Sequence, residues 1–239
     1  ETKHVVLYAD YGTYFSEEKR AYFHKNVRVI DSATTIFSDE LTYFEKERKS
    51  IAVSNVRIVN ASDNITMFGQ YLEHFDEKKY SKMTQHPFLM QIDTSSKGEI
   101  DTLAVKSLVM ESFDDSSRKM LANDSVVIVR GELAARCGVV QYFTKDERIE
   151  LQTNPVVWYE QNQITGDSIS LFLRKNKLQT AAIRGRAFAI SQSDSNFKNR
   201  YNQLTGRKIM MHFAENKLSE MIVERNAISL YFLYDGEKP

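Results

Sequence analysis

Phe44-Glu45-Lys46-Glu47-Arg48-Lys49 is a hydrophobic strand end running into a short charged turn, and the chain writes this phrase repeatedly. It recurs at Phe15-Ser16-Glu17-Glu18-Lys19-Arg20, Phe75-Asp76-Glu77-Lys78-Lys79, Phe113-Asp114-Asp115-Ser116-Ser117-Arg118 and Phe143-Thr144-Lys145-Asp146-Glu147-Arg148. Two later copies are Leu173-Arg174-Lys175-Asn176-Lys177 and Phe213-Ala214-Glu215-Asn216-Lys217. The anchors are 29, 31, 38, 30, 30 and 40 residues apart. Spacings of this size mark a repeat architecture, in which each unit buries its apolar face only by stacking on its neighbours. Seven such units fill the 239 residues.

On either side of each turn the pattern is that of strands. Ile36 to Phe44 leads into the second turn and Ile51 to Val59 returns from it. Val27 and Val29 alternate with Arg28, and Val56 and Ile58 with Arg57, the period of two expected of half-buried strands. A helix through these residues would bury the arginines or break its apolar face. The composition predicts an all-β chain of about seven strand-turn-strand units, stacked antiparallel.

Both arms carry a bend signal. Pro87 and Pro155 stand one residue before a final apolar run on returning arms, where a residue without an N–H fits a corner better than mid-ladder. On outgoing arms Gly69, Gly166 and Gly206 precede Leu72, Ile169 and Ile209 by three positions, as Ser38 precedes Leu41. Polar stretches within 91–101 and 191–203 read as surface loops between units. The first offers a candidate internal break at 94–100. Because the repeat resumes beyond it without a change of composition, one continuous domain over 1–239 is expected.

Composition removes several function classes. Lys plus Arg equals Asp plus Glu at 32 each, so no net field draws nucleic acid or an anionic membrane, and no nucleic-acid partner is expected. Cys137 is the only cysteine, which excludes an intrachain disulfide and any multi-cysteine zinc site. No apolar run reaches the roughly 20 residues that span a bilayer as a helix.

Catalytic candidates are few. Paired carboxylates run glycoside hydrolysis when held across a bond, yet many acids here sit in the charged turns, where solvation explains them; Asp39 and Glu40, inside an outgoing arm, are the least easily explained that way. His4, His24, His74, His86 and His212 have no ligand spacing, so no metal and no cofactor is expected. Cys137 fills the small-residue position of Gly166 and Gly206 and reads as buried. No phosphate-binding glycine loop occurs, and the expectation is a protein that is not an enzyme.

What remains is the repeated apolar face. Leu41, Tyr43, Leu72, Leu108, Met110, Val140, Tyr142, Ile169, Leu171, Ile209 and Met211 lie on outgoing arms. Val27, Val29, Val56, Ile58, Phe88, Met90, Val126, Ile128, Val156 and Trp158 lie on returning ones. Stacked bent strands would turn these residues toward each other, either as a closed dry core, suited to a structural or adhesive repeat protein, or as a hydrophobic trough that admits an acyl chain.

The order Ala9-Asp10 to Asn26-Val27-Arg28-Val29, then Phe37-Ser38-Asp39-Glu40-Leu41-Thr42-Tyr43 to Asn55-Val56-Arg57-Ile58, resembles the OstA-like family. The Ile164-Thr165-Gly166 and Leu204-Thr205-Gly206 units, followed by a charged turn and Asn226-Ala227, are similar to its later repeats. The resemblance implies a twisted β-jellyroll with an apolar interior. It also implies a non-enzymatic carrier of lipopolysaccharide or a related lipid, periplasmic after removal of a signal peptide. Its implied partners are similar-fold transport proteins joined by edge-strand addition, or further copies of itself. The apolar residues named above would then be the lipid-binding positions.

Overall fold

Seven times among the described residues two consecutive residues take the left-handed backbone conformation, and each pair sits where a returning strand turns its corner. In the computed structural model, which describes residues 5–31, 34–94, 98, 100–174, 177–193, 200–214 and 217–232, no helix is found among the described residues. Two compact units divide the chain, Glu1–Gly131 and Glu132–Pro239. The division falls at a tight turn; the candidate break at 94–100 lies inside the first unit, with residues 95–97 and 99 outside the described residues.

The first unit contains β1 (Val6–Tyr8), β2 (Tyr11–Phe15), β3 (Arg20–Ile30), β4 (Thr34–Phe44), β5 (Lys49–Asn60) and β6 (Ile65–Phe75). It continues with β7 (Tyr80–Thr84), β8 (Phe88–Thr94), β9 (Ile100–Lys106), β10 (Val109–Phe113) and β11 (Lys119–Arg130). The second unit contains β12 (Leu133–Phe143), β13 (Arg148–Gln152), β14 (Val156–Tyr159), β15 (Asn162–Thr165) and β16 (Ser168–Arg174). It ends with β17 (Lys177–Gln192), β18 (Tyr201–Ala214), β19 (Lys217–Glu224) and β20 (Ile228–Leu230). Among the described residues all pairings are antiparallel, and the seven charged turns join β2–β3, β4–β5, β6–β7, β10–β11, β12–β13, β16–β17 and β18–β19.

The corner is a bulge. His24 faces Glu40 and Val27 faces Ser38, so Lys25 and Asn26 together oppose Asp39 alone. Ser54 and Asn55 oppose Gln70 in the same way, and Gly185 and Arg186 oppose Arg207. A residue with a Cβ gives up about 1–2 kcal/mol in this conformation. Hydrogen bonds across the corner offset part of that cost: the amides of Asp10, Gly138 and Arg207 donate to Lys25, Thr153 and Arg225 carbonyls at 3.0, 3.0 and 2.9 Å. Side chains repeat the brace, Asn26 Nδ2 to Asp10 at 2.9 Å, Asn55 Nδ2 to Asp39 at 2.7 Å and Arg186 Nε to Asp167 at 2.8 Å. Asparagine, which tolerates this region best after glycine, closes the pair at Asn26, Asn55, Asn154 and Asn226.

Each bent hairpin therefore contributes to a hairpin layer, bearing the charged turns, and a return layer. In the first unit the two face each other: Leu41, Ala52, Leu72 and Met83 from the hairpin layer form one cluster with Val27 and Val56, and Val29, Ile36, Ile58 and Met67 of the return layer pack against it. This is the antiparallel stacked-repeat, β-jellyroll class. At the flanks of the expected loops at 91–101 and 191–203 the chain is strand, since β8 runs to Thr94, β9 starts at Ile100, β17 reaches Gln192 and β18 starts at Tyr201, and residues 95–97 and 99 within the first lie outside the described residues. Residues 194–199 lie outside the described residues.

The charged turns close on an aromatic. Phe15 faces Arg20, Phe44 faces Lys49, Phe113 faces Lys119 and Phe143 faces Arg148. Arg20, Lys119 and Arg148 sit over the ring of their own partner at 4.4, 4.9 and 4.4 Å, while Lys49 reaches the neighbouring Phe75 ring at 5.0 Å. Such contacts contribute about 0.5–1 kcal/mol each at exposed sites.

Corner volume is conserved between strands. Where the outgoing arm has a serine, the returning arm has a small residue: Ser38 with Ala52 and Ser107 with Ala122. Where it has glycine, the returning arm has Met83, Ile183 or Val223, and a Cβ added at Gly69, Gly166 or Gly206 would come within 2.7, 2.6 or 2.5 Å of those side chains. Overpacking of this kind costs about 1–3 kcal/mol. Gly166→Ala, against the stiff β-branched Ile183, is expected to destabilise by about that amount and by more than Gly69→Ala, against flexible Met83. Urea unfolding reads both, and the pair Gly69→Ser with Met83→Ala is expected to cost less than the sum of its parts.

Candidate functional site

The interior is graded from corner to mouth. Next to the corner the hairpin layer presents Leu41, Leu72 and Met110 in the first unit and Val140, Ile169 and Ile209 in the second, all buried. Ala52, Met83, Ala122, Leu151 and Ile183 stand directly opposite them and are buried too. The return layer places Val27, Val56 and Val126 at the corner, each no more than 2% exposed. One step further out, Val29, Ile58 and Ile128 are only half-buried, as are Ile36, Met67, Leu89 and Val105 on the strands between them.

The mouth of the hairpin layer differs between the units. In the first, the inward row beyond Leu41 and Leu72 passes through Tyr43, Ser50, His74, Ser81 and Ser112. In the second it passes through Tyr142, Ile149, Leu171, Ala181 and Met211. A polar rim lines one unit and an apolar rim the other.

Five expected interior residues lie elsewhere. Pro87 and Pro155 take the corner position of Val56 and are themselves among the fully buried side chains, so the phase of their arms is one residue earlier than the apolar run suggests. Phe88 pairs with the exposed Phe68, and Met90 with Thr66, on the face opposite Met67. Val156 pairs with the exposed Arg136, and Trp158 donates from Nε1 to Gln163 at 2.9 Å, on the face opposite Val157. Leu89 and Val157 are the inward residues that replace them. Leu108 stands at the outer corner, the position of Asp10, Asp39 and Gln70, with its amide bonded to Asn123 and Asp124 carbonyls and its side chain 55% exposed. Left-handed conformation at Gln85-His86 and Thr153-Asn154, the sites aligned with Ser54-Asn55, was the signal that fixes the phase.

The polar candidates have structural roles. Asp39 braces the corner through Asn55, and with Glu40, His24, Lys25 and Asn26 it lines a shallow outer depression of about 430 Å³. His24 stacks between Tyr11 and Tyr22 at 4.8 and 5.6 Å. His74 has its Nε2 3.1 Å from Asp76 and its Nδ1 2.9 Å from Ser81 Oγ, an Asp–His–Ser line with the two ring nitrogens exchanged relative to a serine-hydrolase relay. Ser81 lies in β7, whose backbone is paired on both sides with β6 and β10, so it lacks the free amides of an oxyanion hole. His4 lies outside the described residues. Among the described residues no group of three or more His, Cys, Asp or Glu is set to hold a metal ion.

These features define a class: stacked bent hairpins with an apolar interior, partly exposed along its outer return-layer row. A family model described as LptA/(LptD N-terminal domain) LPS transport protein matches residues 7–177, well over half the sequence, and the chain belongs to that family. A solved structure, LptH, the LptA homologous periplasmic component of the lipopolysaccharide transport device of Pseudomonas aeruginosa, is similar over 93% of this chain and 96% of that one, at 10% identity and a TM-score of 0.21. No curated protein matches.

Cys137 is buried, and burial pushes its thiol up to about 11. The thiolate is the reactive form, so native protein at pH 8 is expected to react with DTNB far more slowly than unfolded protein, which should release one equivalent; fast native labelling would contradict the burial.

Proposed function

We propose that this chain carries lipopolysaccharide, holding its acyl chains against the inward rows of both units while they cross an aqueous periplasm. Family membership supports the ligand class. The observation that carries the reading is the half-buried row Val29, Ile36, Ile58, Met67, Leu89, Val105 and Ile128, apolar residues that face inward and yet keep solvent exposure. Covering such a row with hydrocarbon yields about 25 cal/mol per Å² of apolar surface removed from water. Within the first unit Tyr43 extends the floor toward the mouth above a base of Val27, Leu41, Val56, Leu72, Met110 and Val126; within the second, Tyr142, Leu171 and Met211 do so above Val140, Ile169 and Ile209. The role is non-enzymatic: shielding needs no bond to be broken.

Handover would use the sheet edges. Among the described residues β1 and β2 pair only with β3, and β19 and β20 only with β18. Unpaired strand edges accept another strand, so similar-fold transport proteins, or further copies of this chain, would dock there and continue the interior. The charged-turn period runs through residue 131 unbroken, Phe113 to Phe143, which supports treating residues 1–239 as one carrier domain.

Photo-crosslinking tests the reading. A benzophenone amino acid at Ile58 or Leu171 is expected to label lipopolysaccharide strongly, while the same probe at turn residue Lys46 stays at background. Equal labelling at all three positions would return the interior to a closed dry core.

A further inference from the structure

The outward face of the return layer in the first unit has a composition found nowhere else in that unit. Strand pairing sets Tyr8 beside Arg28, Arg28 beside Phe37 and Phe37 beside Arg57. The row continues through Phe68 and Phe88 to Lys106. Arg28 lies over the Tyr8 ring at 4.7 Å and Arg57 over the Phe37 ring at 4.3 Å, while Arg28, Arg57 and Lys106 are all exposed. A second outward row alongside carries Val6, Ile30, Val59, Met90 and Val129, with only threonine and alanine between them. Neither row contains an acid, and among the described residues none of the three cations meets a carboxylate.

The outward face of the hairpin layer makes the contrast. There Glu73 and Glu111 alternate with Lys49 and Lys82, Lys49 binds Glu73 at 2.6 Å, and that bond holds the Glu73 carboxyl below its usual range. One face is neutralised within itself; the other is left cationic and apolar in a chain whose charges balance as a whole at 32 each.

We propose that this face adsorbs to the surface of an anionic phospholipid bilayer. Guanidinium groups held over aromatic rings keep N–H donors available to phosphate oxygens. Aromatic rings favour the headgroup level, and the aliphatic row alongside suits the boundary below it. With strands about 4.8 Å apart, the two arginines stand roughly 10 Å from each other, a spread array suited to many headgroups and not to one compact anion. A balanced net charge removes long-range steering but leaves this contact attraction intact. The inference is separate from lipid carriage in the interior.

Co-sedimentation with lipopolysaccharide-free vesicles tests it. The protein is expected to pellet with mixed phosphatidylcholine–phosphatidylglycerol vesicles and not with phosphatidylcholine alone, and to be released by salt. Each Lys or Arg near such a surface is worth about fivefold in partitioning, so Arg28→Gln/Arg57→Gln/Lys106→Gln should bind on the order of 100-fold more weakly. Lys46→Gln/Lys78→Gln/Arg207→Gln removes the same charge elsewhere and should bind as the unmodified protein does. Equal loss in both variants, no binding to anionic vesicles, or a dimer dissolved by the first variant without vesicle binding would each overturn the proposal. Because the vesicles hold no lipopolysaccharide, failure here leaves interior carriage standing, and failure of the crosslinking experiment leaves this face standing.

Discussion

The left-handed corner pair is the constraint from which the rest of each unit follows. Two residues opposite one force the returning strand to bend, and the bend lets one hairpin serve two layers. Without it the alternation of Val27, Val29 and their equivalents would describe a flat sheet with one greasy side. With it, apolar residues from both arms converge, as Leu41 and Val56 do in one cluster. The price in backbone strain is spread over seven corners and met locally, by amide bonds across the corner and by the asparagine and arginine braces on Asp10, Asp39 and Asp167.

Packing at the corner is a trade between neighbouring strands. Serine with alanine, or glycine with a large residue, fills a similar space, which is why Ser38 and Gly69 serve equivalent positions despite different chemistry. Ser38 leaves its hydroxyl without a partner, whereas Ser107 donates to the Val109 carbonyl at 2.9 Å. Further from the corner burial falls along the return layer, from Val27, Val56 and Val126 to Val29, Ile58 and Ile128, while Ala181 and Met211 in the second unit's hairpin layer stay buried.

Much of this was legible in the sequence. Period-two alternation around Arg28 and Arg57, and the recurring Phe-plus-charge turns, specify strands and hairpins directly, and the spacing of Gly69 to Leu72 gives the inward phase of the outgoing arms. The returning arms were harder, because two consecutive left-handed residues leave no compositional mark when they are Gln85-His86 or Thr153-Asn154. Proline then takes the buried corner site that valine holds elsewhere, and hydrophobicity alone assigns Phe88 and Trp158 to the wrong face. Leu108 misled for the opposite reason: an apolar side chain stands at an outward corner where other units place Asp39 or Gln70. Exposure of the second inward row is a property of how far apart the layers stand, which no single strand's pattern encodes.

The corner pair also has an evolutionary reading. Everything a unit needs, one bend, one charged turn and one inward set, lies between successive pairs such as Lys25-Asn26 and Ser54-Asn55. A tandem duplication between those points would insert a whole hairpin in correct phase, lengthening the apolar floor without disturbing the strands on either side. The repeat can thus be lengthened one hairpin at a time, and the longer return-layer hairpin at Phe88–Thr94 and Ile100–Lys106 shows that a single unit tolerates a change in strand length.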